Sequence, residues 1–170
     1  MNMKISITKK IMGMVVLPIL FICLVVGIIS ANIMTQNITD EIEVQLKTGA
    51  YGISQTLNFR ILSDDMNNDI YNLYDYTDMD VTVFSADAIR VASTIDGAVG
   101  TSMDGHILEE LQTGKDYFTT DANVNGEPYF GYYIPFFVDG RFNGATFTGI
   151  PQSEANTTIM HSIMKIVGCI

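Results

Sequence analysis

YFTTDANVNGEPYFGYYIPFFVDGRFNGATFTGI, Tyr117 to Ile150, reads as three consecutive antiparallel strands joined by two short hairpin turns. Val124-Asn125-Gly126-Glu127 and Val138-Asp139-Gly140-Arg141 place Asn-Gly and Asp-Gly between apolar and aromatic runs. Those pairs accept the positive φ that a two-residue hairpin turn demands. The middle strand, Pro128 to Val138, carries Tyr129, Phe130, Tyr132, Tyr133, Ile134, Phe136 and Phe137. It is apolar on both faces, which predicts a layer over each side of the sheet.

Upstream, Val81 to Phe84 and Ile89 to Thr94 read as two more paired strands, with a turn at Ser85 to Ala88. Asp96-Gly97 and Gly100 then punctuate the chain before a capped helix, Asp104 to Thr113, whose Ile107, Leu108 and Leu111 have helical spacing and whose end is marked by Gly114. Ser63-Asp64-Asp65 supplies capping side chains for a short helix over Asp64 to Asp75, with Met66, Ile70, Leu73 and Tyr74 facing inward. Before it, Ile38, Ile42, Leu46, Ala50, Ile53, Leu57 and Ile61 recur at steps of three and four. This stripe predicts one amphipathic helix running to about Leu62, with Gly49 and Gly52 marking a bend or a close contact.

Ile11 to Ala31 contains no charge, and its 21 residues at 1.5 Å rise cross a hydrocarbon core about 30 Å thick. A cleaved signal peptide is the alternative, but its apolar region is usually about 7 to 15 residues long. A lipoprotein signal at Cys23 fits poorly, because bulky Ile22 precedes it and the apolar run continues past it. Lys4, Lys9 and Lys10 precede the segment, so the positive-inside tendency places the chain beyond it outside the cell. Glu154 to Ile170 turns apolar and helical again, which reads as the start of a second membrane helix with a cytoplasmic part beyond it; a natural end with a peripheral anchor is the alternative. The expected division is a cytoplasmic N-terminus at 1–10, a transmembrane helix at 11–33, an exported domain at 34–156 and the beginning of the second span at 157–170.

All 19 acidic residues lie between Asp40 and Glu154, against five basic ones there, a net charge of −14. Such a domain repels nucleic acid and anionic lipid. The two cysteines, Cys23 and Cys169, lie in membrane-type sequence, so no disulfide framework is expected in the exported domain. There is no Walker loop, no Rossmann glycine fingerprint, no His-Glu-x-x-His and no Cys/His cluster, and neither His106 nor His161 has a spacing partner. No catalytic residue, metal or cofactor is expected.

Arg90 stands out. Strand alternation sets it on the same face as Ala92 and Thr94, where a guanidinium could hold a ligand carboxylate in a cleft or pair with one of the many acidic side chains. Tyr117, Tyr129, Tyr132 and Tyr133 pose a similar choice between lining a pocket and filling a core.

The order of elements, together with Val81-Thr82-Val83-Phe84, Ile89-Arg90-Val91-Ala92-Ser93-Thr94, Gly97-Ala98-Val99-Gly100-Thr101, Gly126-Glu127-Pro128-Tyr129 and Gly131-Tyr132-Tyr133-Ile134-Pro135, resembles the single Cache sensor domains of bacterial methyl-accepting chemotaxis receptors. The resemblance covers roughly residues 35 to 155. It implies an α+β fold: a PAS-like five-stranded antiparallel sheet backed by the long N-terminal helix, outside the cell and anchored in the bacterial inner membrane. It also implies a small-molecule pocket on the face away from that helix, a homodimer through the long helices, and a cytoplasmic chemotaxis kinase complex reached through a missing C-terminal part. Carried over by position, the ligand residues are Arg90, Tyr129 and Tyr133; Thr94 and Tyr117 complete the candidate set, for an amino acid or an organic acid. Two alternatives stand beside this reading. One is the sensor of a membrane histidine kinase or cyclic-dinucleotide enzyme, and the other is a membrane-anchored interaction domain without a small ligand.

Overall fold

The computed structural model describes residues 7–58, 79–155 and 157. The helix expected over 64–75 and the apolar C-terminal segment lie outside the described residues, as does the end of the long helix past Asn58. The elements are α1 (Ile7–Asn58), β1 (Asp80–Phe84), β2 (Arg90–Ser93), α2 (Gly105–Gln112), β3 (Tyr117–Val124), β4 (Glu127–Val138) and β5 (Arg141–Pro151). The chain divides after Asp40 into two units.

In the first unit, α1 exposes Met14, Leu17, Phe21 and Leu24 to at least 60%. Its most apolar window has a mean hydropathy of 2.9, none of it buried. That combination is compatible with a helix surrounded by lipid.

In the second unit the five strands form one antiparallel sheet in the order β2-β1-β5-β4-β3. The β3-β4-β5 meander is set by its turns: Asn125 and Gly126 have φ of 53° and 88°, Asp139 and Gly140 of 50° and 74°, values that only such residues adopt cheaply. The remainder of α1 covers one face. Ile42, Leu46, Ala50 and Ile53 of the expected stripe are buried, and Ile53 packs with Val81, Val83 and Ala92. The Thr148 hydroxyl donates to the Leu46 carbonyl at 2.9 Å. A Cβ at Gly49 would lie 2.5 Å from the Met79 methyl, so this glycine marks a close contact, one of the two possibilities its position allowed.

The opposite face holds the larger core: Phe84, Ala98, Met103, Ile107, Leu111, Val124, Tyr129, Tyr133 and Phe147. Helix α2 lies over it. Asp104 caps its start, accepting from the His106 amide at 3.3 Å, and buried Ile107 and Leu111 point inward. Both faces of β4 are thus covered along its middle, although Phe137 and Val138 at its end remain 40% and 49% exposed.

Candidate functional site

The site begins with an irregularity. Along β1 and β2, Val83 pairs with Ala92 but Phe84 pairs with Arg90, so Val91 is an extra residue, a β-bulge. Cross-strand partners share a face. Ala92 therefore joins Val83 under α1, whereas Arg90 joins Phe84 on the opposite face. The expectation that Arg90 shares a face with Ala92 is corrected: one inserted residue reverses the alternation on which it rested.

Arg90 is 6% exposed. Its Nη1 donates to the Thr101 hydroxyl at 2.6 Å and to the Ser102 carbonyl at 2.8 Å. The guanidinium carbon lies 5.0 Å from the centre of the Phe84 ring, a favourable stacking of cation on aromatic face. Its backbone is tied to the same loop, Arg90 N–H to the Thr101 carbonyl at 2.9 Å and Gly100 N–H to the Arg90 carbonyl at 2.8 Å. Nε is buried without a hydrogen-bond partner. No ion pair joins the guanidinium to a carboxylate among the described residues, so the alternative of a structural ion pair is not realised there. Burial pulls its pKa below the usual value, and Tyr133 partly opposes that shift. A buried cation with a free donor is a costly arrangement.

Around it the aromatic side chains form a continuous band. Tyr133 lies 6.2 Å from Phe84 and 4.9 Å from Phe147, and Tyr129 lies 6.3 Å from Phe147 on the other side, ring centre to ring centre. The Phe147 ring lies across two glycines: a Cβ at Gly131 or Gly149 would come within 2.6 or 2.3 Å of it.

The five candidate residues fall into two groups. Arg90 and Tyr133 interact at one end, where Tyr117, paired with Tyr133 across β3 and β4, also packs edge-on against His106. Thr94 and Tyr129 meet at the other end through Asp80, whose carboxylate accepts from the Thr94 hydroxyl at 2.8 Å and the Tyr129 hydroxyl at 3.1 Å. Between the groups Thr82 and Ser93 share a buried hydroxyl–hydroxyl hydrogen bond of 2.7 Å. Sequence reasoning missed Asp80, Thr82, Phe84, Ser93 and Thr101. Alternation from buried Val81 and Val83 puts Asp80, Thr82 and Phe84 on the opposite face of β1 and could have found three members of the site.

Tyr132, the fourth tyrosine considered, faces α1 instead. Its hydroxyl and that of Tyr51 both donate to the same Asp116 oxygen, at 3.2 and 2.6 Å. This clasp ties α1 to β4 and to the start of β3.

Burial is the first cause that raises Tyr129, Tyr132 and Tyr133 well above the ordinary tyrosine value; Asp80 adds to it for Tyr129 and Asp116 for Tyr132. A raised folded pKa means that the fold favours the protonated hydroxyl. The associated stability is fully present below pH 10.0, the unfolded value, and is lost as the pH rises through the folded one. Ultraviolet difference titration should therefore show these three tyrosines still protonated as the pH passes 10.0, and ionising together as the protein unfolds. Three smooth titrations near the ordinary value would contradict the burial described. Among the described residues no group of three His, Cys, Asp or Glu side chains could hold a metal ion.

The single cache domain 3 family matches residues 61–162. Among solved structures, the E. coli DcuS sensor domain superposes with a TM-score of 0.53 at 14% identity, over 75% of this chain and 98% of that one. An extracellular ligand binding receptor from Desulfohalobium retbaense DSM5692 gives 0.54 at 12% identity, over 74% of this chain and 26% of that one. At such identities the likeness is one of fold. No curated protein matches the chain.

Proposed function

Since the chain belongs to the single cache domain 3 family, we propose that it is the extracellular small-molecule-sensing part of a membrane receptor, with Arg90 holding the ligand. Residues 11–33 cross the membrane and residues 34–156 form the sensor. The observation that carries the reading is a buried arginine, 6% exposed, with Nε unpartnered on the face away from α1. Unpaired buried charge is costly, and a ligand anion would relieve it. The class of the solved neighbours, a sensor domain and an extracellular ligand binding receptor, is consistent with this role.

The signal would leave through α1. A ligand that repacks the sheet also loads the contacts between sheet and helix: the Thr148 bond to Leu46 and the Asp116 clasp on Tyr51 and Tyr132. The same helix contains the apolar segment, so a small axial or rotational displacement could pass inward, with homodimer partners moving together. The finer reading is a chemotaxis receptor acting on a cytoplasmic kinase complex; a membrane histidine kinase or cyclic-dinucleotide enzyme would use the same sensor. The gene beyond residue 170 separates them: a long heptad-patterned hairpin favours chemotaxis, a phosphoacceptor histidine with an ATP-binding domain favours a kinase.

The test is a thermal-shift screen of the full chain in detergent micelles against amino acids, organic acids and uncharged metabolites. A ligand at a hundredfold its dissociation constant adds about 2.7 kcal/mol of stability. Arg90→Gln should remove the response to any carboxylate found; an undiminished response would take Arg90 out of the site. A second reading has its own observation: Tyr133 and Phe147 are 2% and 1% exposed, so the protein's own side chains fill much of the face. If no compound in the screen shifts the midpoint, an interaction domain without a small ligand becomes the better account.

A further inference from the structure

Resting on the sensing role just proposed, we infer that the ligand is a small monocarboxylate with an apolar body, gripped side-on by the Nε/Nη2 edge of Arg90. A guanidinium has five N–H donors in a fixed planar fork. Here the hydrogen bonds to Thr101 and Ser102 both come from Nη1, and Nε is buried and unpartnered. The end-on approach through both Nη atoms is therefore obstructed by the loop. The remaining edge presents Nε–H and one Nη2–H side by side, the spacing of two carboxylate oxygens. Stacking on Phe84 and the backbone bonds to Gly100 and Thr101 hold that edge in place, so little conformational freedom is left to lose on binding. The Tyr133 ring stands beside Phe84, and its hydroxyl feels the Arg90 charge.

Charge decides how many carboxylates the ligand carries. Of the basic side chains described between residues 79 and 155, Arg90 is buried while Lys115 and Arg141 are exposed. A second ligand carboxylate would meet no further buried cation among the described residues, and the acidic groups bordering the face, Asp80 and Asp104, would repel it. An α-ammonium fares little better. Asp80 pairs with Gly149 and Phe84 with Ala145, four residues apart along β1, or about 13 Å at 3.3 Å per residue. An ammonium one carbon from a carboxylate held over Phe84 would not reach Asp80, and the Asp104 carboxylate is already engaged by the His106 ring and amide. The surroundings that the ligand body does meet are Phe84, Phe147, Met103 and Ile107, all buried and apolar.

Isothermal titration of the full chain in detergent micelles at neutral pH tests this with propanoate, butanoate, pentanoate, butanamide, succinate and alanine. The expected result is affinity rising by about fourfold per added methylene, with butanamide, succinate and alanine each at least about tenfold weaker than butanoate. Arg90→Lys keeps the charge but lacks the Nε/Nη2 edge, and should lose about tenfold or more for butanoate while near-ultraviolet circular dichroism stays native. Should that variant not fold, the wild-type series alone still decides. Succinate or alanine binding as tightly as butanoate overturns the monocarboxylate assignment and leaves the sensing role standing. Butanamide matching butanoate, or an Arg90→Lys affinity equal to wild type, overturns the side-on grip. Silence from all six compounds overturns the inference too, and the broader thermal-shift screen then decides separately whether the protein senses anything.

Discussion

Phe147→Ala is expected to destabilise the sheet domain by about 3–5 kcal/mol. Phe147 sits on β5, the central strand, and is 1% exposed. Its ring is held between Tyr133 and Tyr129 and rests on the bare backbone of Gly131 and Gly149. Truncation removes the transfer free energy of the ring and leaves a cavity that the neighbours cannot close, because the glycines below bring no side chain to fill it and the strands are fixed by their hydrogen bonds. Near-ultraviolet circular dichroism can follow the melt, since the chain has no tryptophan and its tyrosines supply the signal. A fall in midpoint of roughly 10–20 °C is expected for a domain of this size. A fall of only a degree or two would mean that the aromatic band is loosely packed, and would weaken the description of the whole face.

Gly144→Ala should cost about 3 kcal/mol or more, for a different reason. Gly144 has φ +134°, where a side chain is strained, and a Cβ there would lie 2.2 Å from the Phe84 carbonyl oxygen. That oxygen belongs to backbone at the end of β1 and cannot rotate away as a side chain would. The position also lies beside a second irregularity: Phe136 pairs with Gly144 and Phe137 with Phe142, leaving Asn143 as the extra residue. The bulge and the close approach occur together because the glycine lets β5 bend toward β1 there. Gly126→Ala is the control. It also has positive φ, +88°, but no atom lies within 4 Å of the added Cβ, so only the conformational penalty of about 1 kcal/mol should appear. Equal losses in the two variants, measured by urea midpoints in the same micelles, would show that the contact with Phe84 contributes nothing.

The functional consequence of both positions runs through Arg90. Phe84 supplies the ring under the guanidinium, and Phe147 supports Tyr133 beside it. If Arg90 holds the ligand as proposed, either substitution should weaken its binding along with stability.

Local chemistry alone was sufficient for much of this protein. Asn125-Gly126 and Asp139-Gly140 name their turns because few residue pairs accept two positive φ angles in succession, and with them comes the pairing of β3, β4 and β5. The Ile42, Leu46, Ala50, Ile53 stripe identifies the helical face that meets the sheet, since burial at a period of 3.6 needs no knowledge of the partner. Asp104, with Ile107 and Leu111, marks α2 in the same way. Non-local pairing decided the rest. Whether Arg90 lies under α1 or on the far face depends on Val91 being skipped when β2 pairs with β1, and a skipped residue leaves no trace in a four-residue strand read by alternation. The Nε of Arg90 is left unpaired because a loop about ten residues further on takes Nη1 through Thr101 and Ser102. Asp80 joins Thr94 to Tyr129 across 14 and 49 residues of sequence. Those contacts arise only when distant segments are folded against one another, which is why the strands could be read from the chain and the chemistry of the face between them could not.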